Sequence, residues 1–327
     1  MSTKQPDTKL LSIDILRGIA ALAVCFFHLT GSTGLSKNTV ALGKYGFLGV
    51  EVFFVISGFI IPYSMYKAKY QFSLFGRFLA KRLLRIHPPY LATLLMTILL
   101  IYLVRRPYMP SWPSMISHVF YLDQLFHYES ISPVFWTLVI EIQFYIFIGL
   151  CFFIINNKST ALFVGFIQIL LLIFYLNNWG NLFGWIGLFV LGMILFRFKY
   201  LQLPKFVFWT LIFQCALLIG YKIGIAESIA GILAVLYINY ISIRSNDKAW
   251  VKPLLFLGTI SYSLYLIHWE LGRTVVAIVR HIPVLGGFEL FRVLIGVLSS
   301  ILLAFIGYRL IEKPAIQLSK TIPLKTK

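Results

Sequence analysis

Arg17, His28, Glu51, Glu141 and His268 are charged or titratable side chains set inside apolar stretches of the sequence. Arg17 and His28 lie eleven residues apart in SIDILRGIAALAVCFFHL, residues 12–29. At about 100° per residue, eleven helical steps return to within about 20° of one face, with about 16 Å of rise. Asp14, three residues before Arg17, can pair with it on that face. One polar stripe therefore runs from a cation near one end of the segment to an imidazole near the other. Glu51 lies in FLGVEVFFVISGF and Glu141 in VFWTLVIEIQFY, two segments that run opposite to the first, while His268 and Glu270 close SYSLYLIHWE. His28, Glu51, Glu141 and His268 are expected to share one depth band on four helices. Uncompensated charge there is costly, so the groups should face one another or a wet cavity. A histidine beside a carboxylate can work as a general base with its orienting group. The same set also suits a proton relay in a transporter, and each residue taken singly suits satisfied packing.

A second feature is RFLAKRLLRIHPPY, which holds Arg77, Lys81, Arg82 and Arg85. Arg82 and Arg85 are i, i+3 neighbours, and paired guanidiniums fit phosphate oxygens. Ordinary positive-inside anchoring with anionic lipid explains them equally well, and on these residues alone it is the simpler account.

The elements that must carry these groups follow from composition. Of 327 residues, 59% are hydrophobic and only 12% charged, and mean hydropathy is +0.86. Apolar stretches long enough for a bilayer recur along the chain. The fold class is all-α: a polytopic membrane protein with about ten transmembrane helices, at residues 11–31, 47–66, 88–104, 134–155, 160–176, 182–197, 206–222, 225–243, 254–271 and 288–311. The net charge of +18 sits in short connections between spans, as retention of Lys and Arg on the cytoplasmic side requires, and does not point to nucleic acid. With the N-terminus inside, eight of the 29 basic residues fall outside (Lys37, Lys44, Arg105, Arg106, Lys222, Arg273, Arg280 and Arg292) and the other 21 inside. Both termini are thus expected in the cytoplasm. Cys25, Cys151 and Cys215 lie in apolar runs with no metal spacing and read as small buried residues. Arg17 and the lack of an A-x-A-like site argue against a cleaved leader. The aromatic connection between the third and fourth spans, with Trp112, Tyr121, Phe126, Tyr128, Phe135 and Trp136, suits an interfacial belt better than a sugar platform.

Six segments, in order and covering nearly the whole chain, resemble the acyltransferase family 3 membrane proteins. They are the Arg17-to-His28 motif; GVEVFFVISGF (residues 49–59); RLLR (82–85) with the Pro-Pro-Tyr run after it; FWTLVIEIQFY (135–145); ISYSLYLIHW (260–269); and IEKPA (311–315). Departures are small: Ile15, His87 and Thr137 stand where Gly, an aromatic and Ser are commoner. The resemblance implies an O-acyltransferase, most often an acetyltransferase, that uses cytoplasmic acyl-CoA as co-substrate with no bound cofactor or metal. His28 and Glu141 would be catalytic. Arg17, Arg82, Arg85 and Ser57 would hold the donor, and Asp14, Glu51, Trp136, Tyr145 and His268 would support them. The transmembrane domain would span residues 11–315, with short cytoplasmic tails at 1–10 and 316–327 and no C-terminal esterase-like domain. Expected partners are the lipid bilayer, a cell-surface polysaccharide or lipid-linked glycan acceptor, and glycan-assembly machinery, with a multi-pass location in a bacterial-type inner or plasma membrane. A transporter or flippase of the cell envelope is the alternative reading.

Overall fold

The computed structural model describes residues 8–32, 34–103, 109–177, 180–242, 249–282 and 287–324. Of the basic residues counted for orientation, Lys4, Arg105, Arg106, Arg244, Lys248, Lys325 and Lys327 lie outside the described residues, as do the outermost parts of both expected tails. The described residues fold into α1 (Thr8–Thr30), α2 (Lys37–Gly43), α3 (Gly49–Lys67), α4 (Phe75–Leu103), α5 (Trp112–Val119), α6 (Trp136–Ile155), α7 (Thr160–Leu176), α8 (Leu182–Tyr200), α9 (Lys205–Lys222), α10 (Ile225–Tyr240), α11 (Val251–Ile267), α12 (Arg273–Arg280), α13 (Glu289–Gly307) and α14 (Lys313–Ser319). Eight helical stretches are long and apolar enough to cross a membrane, and α7 and α10 are shorter apolar helices. Those ten segments fall where the hydropathy pattern predicts them.

Two boundaries differ from expectation. The third span does not begin at residue 88: α4 starts at Phe75 and runs straight through Pro88 and Pro89. Arg82 and Arg85 therefore stand on a helix and not in a loop. The Tyr262 hydroxyl donates to the Ile86 carbonyl at 2.7 Å and that of Thr93 to the Pro89 carbonyl at 3.0 Å. Both bonds are to helix carbonyls near the prolines; the carbonyls that Pro88 and Pro89 leave without an intrahelical donor are those of Leu84 and Arg85. The last span continues past residue 311 through a π-helical turn, Tyr308–Glu312, into α14. The C-terminal segment then returns to the start of α4, where Lys81 Nζ donates to the Ile322 carbonyl at 3.1 Å.

Lipid tails are as apolar as Leu, so helices in a membrane gain by close van der Waals approach, which small residues permit. The pairs α1–α11 and α3–α8 use glycine in this way. A Cβ at Gly258 would lie 2.1 Å from the Asp14 carbonyl oxygen, and one at Gly192 2.2 Å from that of Val55. The first contact fixes the backbone that carries Asp14 and Arg17 against α11, which carries Tyr262 and Tyr265. The connection between α4 and α6 is packed as tightly. Tyr121 stacks on Tyr90 at 4.7 Å and Phe135 meets it edge-on at 4.9 Å, so these two rings are core, whereas Trp112 and Phe126 are exposed. Within it, His118 Nδ1 pairs with the Ser114 carbonyl at 2.8 Å and its Nε2 accepts from the Ile131 amide at 3.0 Å. That arrangement fixes a neutral imidazole. Burial pushes the adjacent Asp123 carboxyl above its ordinary value.

Gly258→Ala should therefore destabilise the bundle by about 1–3 kcal/mol, the usual range for overpacking. Gly165→Ala on α7, where an added Cβ meets nothing within 4 Å, should be neutral or slightly stabilising, because Ala is the better helix former. Thermal midpoints in detergent measure both; equal midpoints for the two variants would remove the close-approach account.

Candidate active site

Two groups of polar side chains occupy different depths of the same bundle. The first lines a cavity of about 330 Å³ between α1, α3, α4, α6 and α11, within the range of small-ligand pockets. Asp14, Arg17, Ser57, Arg82, Arg85, Glu141 and Tyr145 all line it. Seven of the residues named from the sequence are thus brought to one chamber by four helices.

The cationic wall of this chamber is highly organised. Arg82 Nη2 donates to Ser64 Oγ at 2.5 Å, and its guanidinium lies over the rings of Phe78 and Tyr145, 5.5 and 5.7 Å from their centroids. Its Nε is buried with no hydrogen-bond partner. Leaving a donor on a charged group unmet costs about 1–3 kcal/mol or more. Tyr145 donates its hydroxyl to Glu141. The charges of Asp14, Glu141, Glu312 and Arg85 all act on Arg17.

Glu312 was not singled out in the sequence although it lies in IEKPA. It is only 3% exposed and its Oε2 accepts from both the backbone amide and the hydroxyl of Ser263, at 3.2 and 2.5 Å. The π turn swings it inward. Tyr262 and Tyr265, which also line the cavity, were missed in the same way. Their i, i+3 spacing in ISYSLYLIHW was the available signal.

The second group is an imidazole pair. His28 Nδ1 and His268 Nε2 are 2.9 Å apart, with ring planes 22° from parallel and centroids 5.1 Å apart, so the rings lie edge to edge. His268 is fully buried and His28 half-buried. Trp269 stands edge-on to His28 at 4.8 Å, and Arg273 stacks on the far ring system at 4.2 Å from the Trp269 centroid. His268 opens a second π-helical turn, His268–Gly272, a feature that recurs at functional sites.

The hydrogen bonds assign the protons. His268 Nδ1 faces the Leu264 carbonyl at 2.9 Å, and a carbonyl only accepts, so the proton is on Nδ1. Neutral His268 then has a bare Nε2, which accepts from His28 Nδ1–H. That leaves the lone pair of neutral His28 on Nε2, the tautomer a general base needs.

The expected His28–Glu141 pair does not form. Phe135, just before α6, packs beside Tyr90 of α4, thirteen residues or about 20 Å short of the end of α4. Helix α6 therefore starts deep, and Glu141 faces the arginines. Glu51 is 3% exposed, and its Oε2 is buried with no hydrogen-bond partner. Trp136 packs with Phe54 and Trp185. Neither is among the residues that line the cavity.

A family model described as an acyltransferase domain, acyltransferase 3, matches residues 10–309. The O-acetyltransferase OatA of Staphylococcus aureus (strain NCTC 8325 / PS 47) is 26% identical, covering 92% of this chain and 56% of the relative. YrhL of Bacillus subtilis (strain 168), provisionally named a peptidoglycan O-acetyltransferase, is 25% identical over 92% of this chain and 54% of the relative. A protein of Acidianus two-tailed virus, ORF330, provisionally named an acetyltransferase, is 26% identical over 77% of this chain and 80% of its own length. The chain spans about half the length of the two bacterial relatives. No solved structure gives a significant match. With the family model covering nearly all of its residues, the chain belongs to the acyltransferase 3 family of multi-pass membrane proteins.

Proposed function

We propose that the chain is an integral membrane O-acetyltransferase that takes an acyl group from acyl-CoA and passes it to a hydroxyl of an acceptor on the opposite face. The observation that carries this reading is the protonation pattern of the imidazole pair, which leaves His28 Nε2 as a free base about 16 Å of helix rise from Arg17. The names of the relatives, which point to O-acetyl transfer, support the same chemistry.

The donor's phosphates suit Arg17, Arg82 and Arg85, which line one cavity together. Phosphate oxygens take the planar guanidinium fork better than a point charge. With the phosphates held at that end, the pantetheine arm would point along α1 towards His28. The acceptor hydroxyl would lose its proton to His28 Nε2 while its oxygen attacks the thioester carbon. The new C–O bond forms as the C–S bond breaks, and the proton is handed to the departing thiolate, leaving CoA thiol and ester. His268 would hold His28 in the productive tautomer. Glu141, hydrogen-bonded to Tyr145, would balance the arginine charge and is not the orienting group of His28.

The positive-inside count supports a reading with the arginine end, and with it both termini, in the cytoplasm. The acceptor class is then a cell-surface glycan or lipid-linked glycan in a bacterial-type envelope, worked on together with glycan-assembly machinery. A transporter or flippase built on the same stripe makes no ester, so label transfer from acyl-CoA to a hydroxyl acceptor in detergent separates the two; absence of any product would end the enzyme reading.

His28→Ala should abolish transfer while the protein keeps its thermal midpoint. His268→Ala should lower kcat by about 10²-fold, the lower end of general acid–base contributions. Residual transfer in His28→Ala within tenfold of the parent would contradict the role.

Arg82→Ala should raise KM for acyl-CoA roughly 10- to 150-fold, equivalent to about 1.5–3 kcal/mol for a charge-assisted hydrogen bond. Arg82→Lys should recover little of that, because it lacks the fork. Steady-state kinetics with varied acyl-CoA measures both, and an unaltered KM in Arg82→Ala would remove the phosphate assignment.

A further inference from the structure

The reaction proposed above requires the thioester to meet His28, yet the residues that line the cavity include neither His28 nor His268. What lies between them is defined. The cavity wall nearest the imidazole pair comes from the starts of α3 and α6 and the last turn of α11, and it includes Phe53, Thr137 and Tyr265.

Tyr265 belongs to both chambers. Its hydroxyl is hydrogen-bonded to Thr137 Oγ1 at 2.8 Å, across the α6–α11 interface. Its ring lies 5.8 Å from that of His268. Phe53 meets the same ring edge-on at 6.0 Å and also packs against a core cluster shared by α1, α11, α12 and α13, with Ala21, Cys25 and Leu264 among its members. Tyr265 is only 7% exposed. Two aromatic rings and one hydrogen bond thus stand on the side of the cavity where Tyr265 approaches His268.

We infer that Phe53, Thr137 and Tyr265 form a selectivity wall that sets which acyl group reaches His28, and that it passes an acetyl-sized group and rejects longer chains. This inference rests on the acyl-CoA reading of the cavity. The wall is close-packed, and each extra methylene must displace packed atoms of Phe53 or Tyr265. Overfilling a packed site typically costs about 1–3 kcal/mol, and one methylene in a fitted pocket changes kcat/KM by about 10- to 200-fold. An acetyl group needs only the Tyr265–Thr137 bond to open and the Tyr265 ring to turn. A longer chain needs the volume that Phe53 occupies as well. The wall is therefore a specificity-determining element, distinct from the arginines that hold the donor and from the imidazole that takes the proton.

The test is the acyl-length profile of the purified protein with acetyl-, propionyl-, butyryl- and hexanoyl-CoA, read as kcat/KM for ester formation on a fixed hydroxyl acceptor. The parent protein should fall about tenfold or more per added methylene. Phe53→Ala should flatten the series, raising the butyryl-to-acetyl ratio at least tenfold. Phe53→Leu, a smaller truncation that keeps the contact with α1, should shift the ratio in the same direction by less, and it serves if the alanine variant does not fold. Acetyl transfer by the parent with the same length profile in folded Phe53→Leu and Phe53→Ala overturns the selectivity wall and leaves the acyltransferase reading standing. A parent protein that uses hexanoyl-CoA as well as acetyl-CoA overturns it too. Failure of the parent to transfer any acyl group from any of the four thioesters overturns the acyltransferase reading and the wall with it.

Discussion

One backbone oxygen governs the proton placement of the imidazole pair. The Leu264 carbonyl can only accept a hydrogen bond, so it holds the proton of His268 on Nδ1, 2.9 Å away. That choice passes to His28 through the 2.9 Å contact between the rings and leaves His28 Nε2 bare. The π turn that begins at His268 aims that ring, and the close approach of α11 to α1 at Gly258 and Gly18 brings the two histidine-bearing helices into reach. Packing, backbone geometry and proton placement are thus successive consequences of one helix crossing.

The arginine cluster follows another constraint. Three arginines in a low-dielectric bundle are tolerable only with compensating charge and donors satisfied. Asp14, Glu141 and Glu312 supply the charge that acts on Arg17, Ser64 takes one bond from Arg82, and the Arg82 Nε is left over. Phe53, Thr137 and Tyr265 line the chamber, and the Tyr265 ring lies 5.8 Å from that of His268, so the arginine cluster and the imidazole pair are separate polar centres in one bundle.

Much of this was legible in the sequence. The ten apolar segments, the helical stripe from Arg17 to His28, and the pairing of Arg82 with Arg85 all follow from periodicity, and seven of the residues named for chemistry meet in one cavity. Which group of the shared depth band pairs with His28 was not legible: Glu141 and His268 are both expected there, and His268 is the one that meets it. Depth was counted from the start of each apolar run, which presumes that every helix begins at the membrane surface. Helix α6 begins beside Tyr90, beneath the packed α4–α6 connection, so Glu141 belongs to the arginines. Glu312 and His268 owe their inward aim to π turns, which no residue pattern announces. Pro88 and Pro89 read as a helix boundary, yet α4 continues through both from Phe75 to Leu103.

The claim on which the account turns is that donor and acceptor use opposite ends of one bundle. Reconstitution into sealed vesicles, with orientation mapped by protease access to a C-terminal tag, tests it directly. Labelled acetyl-CoA is supplied on one side only and a hydroxyl acceptor on the other. The account predicts labelled ester when the donor is on the side of the C-terminus, where Lys81 meets Ile322 at the arginine end, and the acceptor on the side of His28. Equal product with donor and acceptor exchanged, or product only when both are on one side, would contradict it.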